Sequence, residues 1–181
     1  MAIVFDTNAL LRPRFIAADF VPTKWDSAAT KADFASRLCQ FIAADFKESL
    51  FTKVFYNRLH LTYGHIARCN REGFFGTFFR DLAGKVEFLE HTLQWRCFGD
   101  LAFTYCDVER SIQERLQRGD LLTAYRALRA ADIERGERDT LRRLSAQYEG
   151  AAVSTASPVV IARSRSPEPR AKSAAEQPRL F

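Results

Sequence analysis

Cysteine, methionine, histidine, glycine and proline are all scarce in this chain: among 181 residues there are four cysteines, one methionine, three histidines, eight glycines and six prolines. Each shortage excludes something. Cys39, Cys69, Cys97 and Cys106 are too few and too widely spaced for a disulfide scaffold, and they read as buried thiols in a reducing compartment. The glycines form no phosphate-cradling loop, and neither a nucleophile elbow nor an H-E-x-x-H pair occurs, so conventional enzymology is disfavoured and no catalytic residue, metal ligand or cofactor is assigned. No small-molecule substrate is expected either.

Long apolar runs are missing as well. Nothing approaches the roughly 18 consecutive apolar residues that cross a bilayer, and M-A-I-V-F-D lacks the basic start of a secretion signal. The expectation is a cytoplasmic protein with no membrane partner. A strong bias of charge is also absent. Of the net +5, the segment beyond Gly150 carries +3, from Arg163, Arg165, Arg170, Lys172 and Arg179 against Glu168 and Glu176, which leaves +2 for everything before it. Bulk electrostatics therefore gives a phosphate-binding surface only slight support.

What the chain does have is apolar patterning at helical spacing, with 47% hydrophobic residues and 16 phenylalanines. Asp26 or Ser27 can cap a helix in which Phe34, Leu38, Phe41 and Ile42 form one face. Thr52 can cap a second, carrying Phe55, Leu59 and Tyr63. Phe74/Phe78 and Phe75/Phe79 pair around Gly76. Asp81 can open a helix with Leu82, Val86, Leu89 and Leu93, and Val108, Ile112 and Leu116 make another that ends at Gly119. A last helix begins after Asp120 and runs toward Tyr148, with Leu121, Tyr125 and Leu128 apolar at first. From Arg129 charge takes over, and Glu134/Arg138 and Asp139/Arg143 at i, i+4 support a solvated helix that projects from the body, with Gly136 a candidate break. The hexamer F-I-A-A-D-F occurs twice, at 15–20 and 41–46, too short a repeat to establish a duplicated unit.

The fold expected is all-α: a compact helical bundle with a short N-terminal arm and a disordered C-terminal tail. The boundaries are 1–25 for the arm, 26–150 for the helical domain, 151–176 for a disordered linker and 177–181 for a recognition motif. The linker is alanine, serine, proline and charge, with four of the six prolines between 151 and 178. It cannot offset an ordering entropy of roughly 1–2 kcal/mol per residue.

Three stretches carry candidate chemistry. The N-terminal I-V-F-D-T-N-A-L-L resembles the first strand of PIN-domain nucleases, which implies Asp6 as a ligand for Mg²⁺ or Mn²⁺ in phosphodiester cleavage. Such a fold also needs parallel strands, and residues 28–148 offer almost no β-branched runs. His65 and Cys69, four apart, could share a helix face and join Cys97 and Cys106 around Zn²⁺, although no C-x-x-C supports this; His60 and His91 read as polar edges of amphipathic helices. The stretch R-C-N-R-E-G-F-F-G-T-F-F-R-D at 68–81 mixes arginine with four phenylalanines, a composition that can stack bases. Phenylalanine at helical spacing more often builds core, which is the reading preferred.

The chain ends in Q-P-R-L-F. Leu180 and Phe181 are the only large apolar pair after Ile161, set at the tip of a polar tether, with Gln177 three residues before them as a polar anchor. This stretch resembles the Gln-x-x-Leu-Phe peptide with which bacterial replication and repair proteins dock into the hydrophobic cleft of the DNA polymerase III sliding clamp. Gln177, Leu180 and Phe181 match its defining positions, while Pro178 and Arg179 depart from its usual middle residues. The resemblance implies a non-enzymatic replication or repair accessory protein of bacterial, plasmid or phage type. Its partner is the clamp, with DNA a second candidate. The rival readings are a PIN-like nuclease using Asp6 and a helical nucleic-acid- or protein-binding scaffold.

Overall fold

The computed structural model describes residues 7–63 and 70–154, the side chains of 149–154 excepted. Among these residues there are seven α-helices and no strand: α1 (Thr7–Leu11), α2 (Ala28–Ala43), α3 (Lys53–Thr62), α4 (Arg71–Phe78), α5 (Leu82–Gln94), α6 (Cys106–Arg118) and α7 (Leu121–Ser154). The all-α expectation holds, and the parallel sheet that the PIN resemblance requires is absent from the described residues.

Helix starts follow the capping chemistry. Ser27, Thr52, Asn70 and Asp81 each accept a backbone N–H through the side chain, from Thr30, Phe55, Gly73 and Gly84 in turn. Asn70 is the cap the pattern did not reveal. Gly119 follows α6 as expected, and α7 begins immediately after Asp120, whose φ is +46°.

The first unit, which ends at Arg138, is organised around α2. Helix α2 packs against α1, α3, α6 and the short helical turn Ala17–Asp19, while α5 packs against α4 and α6. Its buried face carries Phe34, Ala35, Leu38, Cys39, Phe41 and Ile42. The core is aromatic to an unusual degree. The Phe41 ring lies 4.9–5.5 Å from those of Phe46, Phe51, Phe55 and Phe79, and Phe79 lies 5.0 Å from Phe88. Edge-to-face packing dominates these pairs, as ring quadrupoles favour. Phe74, Phe75, Phe78 and Phe79 are all buried, so these four rings supply core and not a stacking surface.

The repeated hexamer adopts two structures. Its first copy contains the helical turn Ala17–Asp19, where the Asp19 carboxylate accepts the Ile16 N–H. The second closes α2, and its Asp45 and Phe46 have positive φ of 53° and 58°. Asp45 accepts hydrogen bonds from Lys85 and Tyr125, which ties the turn to α5 and α7 and offsets a strained backbone.

Helix α7 departs from expectation in three places. It continues unbroken through Gly136, extends to Ser154 and so takes in the first four residues assigned to the linker. Glu134 and Arg138 do pair, at 2.5 Å, but Asp139 pairs with Arg142 at i, i+3 and not with Arg143. In the second unit, which begins at Asp139, Leu141, Leu144 and Tyr148 are exposed.

Candidate functional site

Most of the residues singled out by sequence lie outside the described residues: Asp6, His65, Cys69, and the motif residues Gln177, Leu180 and Phe181. Two of the zinc candidates do not, and they overturn an expectation. Cys97 and Cys106 form a disulfide, so neither is a thiol and neither can complete a zinc set. The loop between α5 and α6 folds back on itself, which brings together two sulfurs nine positions apart in sequence. Asp100 drives that reversal: its side chain accepts the Ala102 N–H, and its carbonyl accepts from Phe103 N–H and the Thr104 hydroxyl. Cys39 remains a buried thiol, pushed up to about 12 by burial. Among the described residues no cluster of three or more His, Cys, Asp or Glu could hold a metal. His60 is exposed and His91 half-buried, each in the last turn of its helix.

The same loop walls a cavity of about 550 Å³, whose other sides come from Trp25, Leu61 and Thr62 and from Glu109 on α6. Trp25, Trp95, Phe103 and Tyr105 line it together with two carboxylates, Asp26 and Glu109. The loop is anchored by Gln113, whose amide donates to the Thr92 and Trp95 carbonyls, and by the disulfide at its base. Lys24 N–H donates to the Ala102 carbonyl, which joins the Trp25 side of the cavity to the Phe103 side.

The two carboxylates differ in kind. Asp26 is compensated: Arg58 reaches it at 2.5 Å and the Tyr105 hydroxyl donates to it at 2.9 Å. Arg58 foremost holds its carboxyl below the usual range, while burial and that hydrogen bond push the Tyr105 hydroxyl up to about 12. Glu109 is only 3% exposed, and its Oε2 has no hydrogen-bond partner. Burial first, then the Asp107 charge, pushes its carboxyl up to about 7, against a side-chain hydrogen bond with Trp95 that acts the other way. Asp107 is itself occupied: it pairs with the buried Lys31 at 2.9 Å and accepts the Val21 N–H.

Sequence reasoning missed this cavity because its walls come from three separated stretches, no two of which carry a motif. The helical spacing of Glu109 with Val108 and Ile112 was the available signal, since it sets an acid beside the apolar face of α6. No known family, no curated protein and no solved structure matches the chain.

Proposed function

We propose that this is a non-enzymatic replication or repair accessory protein that binds the bacterial DNA polymerase III sliding clamp through Gln177, Leu180 and Phe181. The observation that carries the reading is the Q-P-R-L-F sequence itself, set after a stretch with almost nothing of its own to bury. Leu180 and Phe181 would each contribute roughly 1.5–3 kcal/mol on entering an apolar cleft, before ordering costs, and the Gln177 amide would fix their orientation. The helical domain is then the cargo that the clamp carries to DNA, or a mass that excludes competing clamp ligands. Nothing in this function needs a metal or a reaction.

A clamp pull-down with the full chain and with a chain lacking 177–181 tests it. Binding that requires those five residues, and that Leu180→Ala with Phe181→Ala abolishes, is the expected result. Binding unaffected by their loss refutes the reading. Divalent-metal-dependent nucleic-acid cleavage abolished by Asp6→Ala would instead establish the nuclease, and salt-sensitive nucleic-acid binding independent of 177–181 would establish the scaffold.

A further inference from the structure

The cavity beside the disulfide loop has the composition of a cation receptor. Trp25, Trp95, Phe103 and Tyr105 line it, and among the described residues no lysine, arginine or histidine does. Trp25 and Phe103 are 71% and 53% exposed, with ring centroids 5.8 Å apart in an edge-to-face pair. Leu61, also in the lining, is 67% exposed. Large apolar side chains gathered in the open around a concavity of this size are the usual surroundings of a small-molecule site.

Charge narrows the ligand. Asp26 is already neutralised by Arg58, so the carboxylate of the lining that has no ion pair among the described residues is Glu109, nearly buried. An anion would be repelled by it. A neutral ligand would leave it as it is. A cation gains twice, from the faces of the aromatic rings and from a buried counter-charge whose field is little screened by water. Because Oε2 is sealed from solvent, Glu109 acts through that field and not through a bond to the ligand.

We propose that this cavity binds a small organic cation, an alkylammonium or quaternary ammonium on a compact apolar body, with Trp25, Trp95, Phe103 and Tyr105 as its aromatic cage and Glu109 as its counter-charge. The disulfide Cys97–Cys106 and the Gln113 hydrogen bonds hold the cage in shape before the ligand arrives. Its lining among the described residues falls between 23 and 109, so its test is separate from that of clamp binding. Binding strengthens as pH rises through about 7, since Glu109 then carries its charge. Of the groups facing Glu109, Asp107 is paired with Lys31, Trp95 acts on the carboxyl through a side-chain hydrogen bond, Tyr63 stays neutral, its hydroxyl driven up by burial, and Arg96 and Arg110, which line a second cavity with Glu109, favour its charged form.

The test is tryptophan fluorescence and calorimetric titration of the oxidised full chain with tetramethylammonium and choline, against 3,3-dimethylbutan-1-ol, the uncharged carbon isostere of choline. Saturable binding of both cations at one site per chain is expected, with the isostere at least about ten-fold weaker and Glu109→Gln weakening choline by a similar factor. Phe103→Ala, at a residue 53% exposed, gives a second loss, with circular dichroism confirming the helical content of each variant. The isostere binding as tightly as choline, no saturation up to about 100 mM, or variants that bind like the wild type would each overturn the proposal.

Discussion

At the residue scale, Glu109 shows how a single buried group gives the molecule a pH dependence. The folded chain holds its proton up to about 7, the unfolded chain only to about 4.5. Stability linked to this group is therefore undiminished below about 4.5, falls as pH rises to about 7, and is flat above that, a total of about 3 kcal/mol. Glu109→Gln removes the ionisation. The variant is expected to be more stable than the wild type by about 1–3 kcal/mol at pH 8 and nearly equal to it at pH 4.5, in urea titrations across that range. Lys31 presents the opposite solution to the same problem: fully buried, it is paired with Asp107 and lies 5.2 Å from the Tyr105 ring centroid. Arg115 likewise donates to the Leu10 and Pro13 carbonyls and stacks on Phe15, which fastens the N-terminal segment to α6.

At the scale of elements, close approach and cross-linking decide how helices and loops sit. A Cβ on Gly84 would lie 2.3 Å from the Thr77 carbonyl oxygen and 2.9 Å from the Phe78 Cα, so the first turn of α5 rests directly on the end of α4. Backbone on both sides cannot yield cheaply. Gly84→Ala is expected to lower stability by about 1–3 kcal/mol despite the better helix propensity of alanine, whereas Gly136→Ala, with nothing within 4 Å, should gain up to about 1 kcal/mol. Paired thermal melts separate the two. The disulfide closes a short loop, and on chain-entropy grounds its reduction should cost about 2–3 kcal/mol. Denaturant curves with and without reductant measure that loss, and thiol labelling of the denatured chain should count two more reactive groups after reduction.

At the scale of the whole molecule, the folded domain and the terminal motif are expected to be thermodynamically independent. Among the described residues the rings of the first unit's core pack on one another, with Leu10, Leu116, Leu121 and Tyr125 at its edges. Deleting 177–181 should therefore leave the melting temperature unchanged within about 1 °C while abolishing clamp binding. A shift of several degrees would mean that Leu180 and Phe181 pack on their own chain and are withheld from a partner.

The sequence by itself determined the helices and the membership of the core. Spacing of three and four places apolar side chains on one stripe, and short polar side chains satisfy the free N–H groups at Ser27, Thr52 and Asp81, so both signals are local and survive in one dimension. The end of α7 was less legible, because an exposed helix is held by its own backbone and charge pairs and nothing in its pattern marks where it stops. Only the tertiary structure decided the rest. It made one disulfide of two cysteines that read as thiols, set identical hexamers in different conformations, and gathered Trp25, Trp95, Phe103 and Glu109 around one cavity. Those outcomes depend on which distant surfaces meet, and burial assigns a carboxyl or a sulfur its chemistry only after they have met.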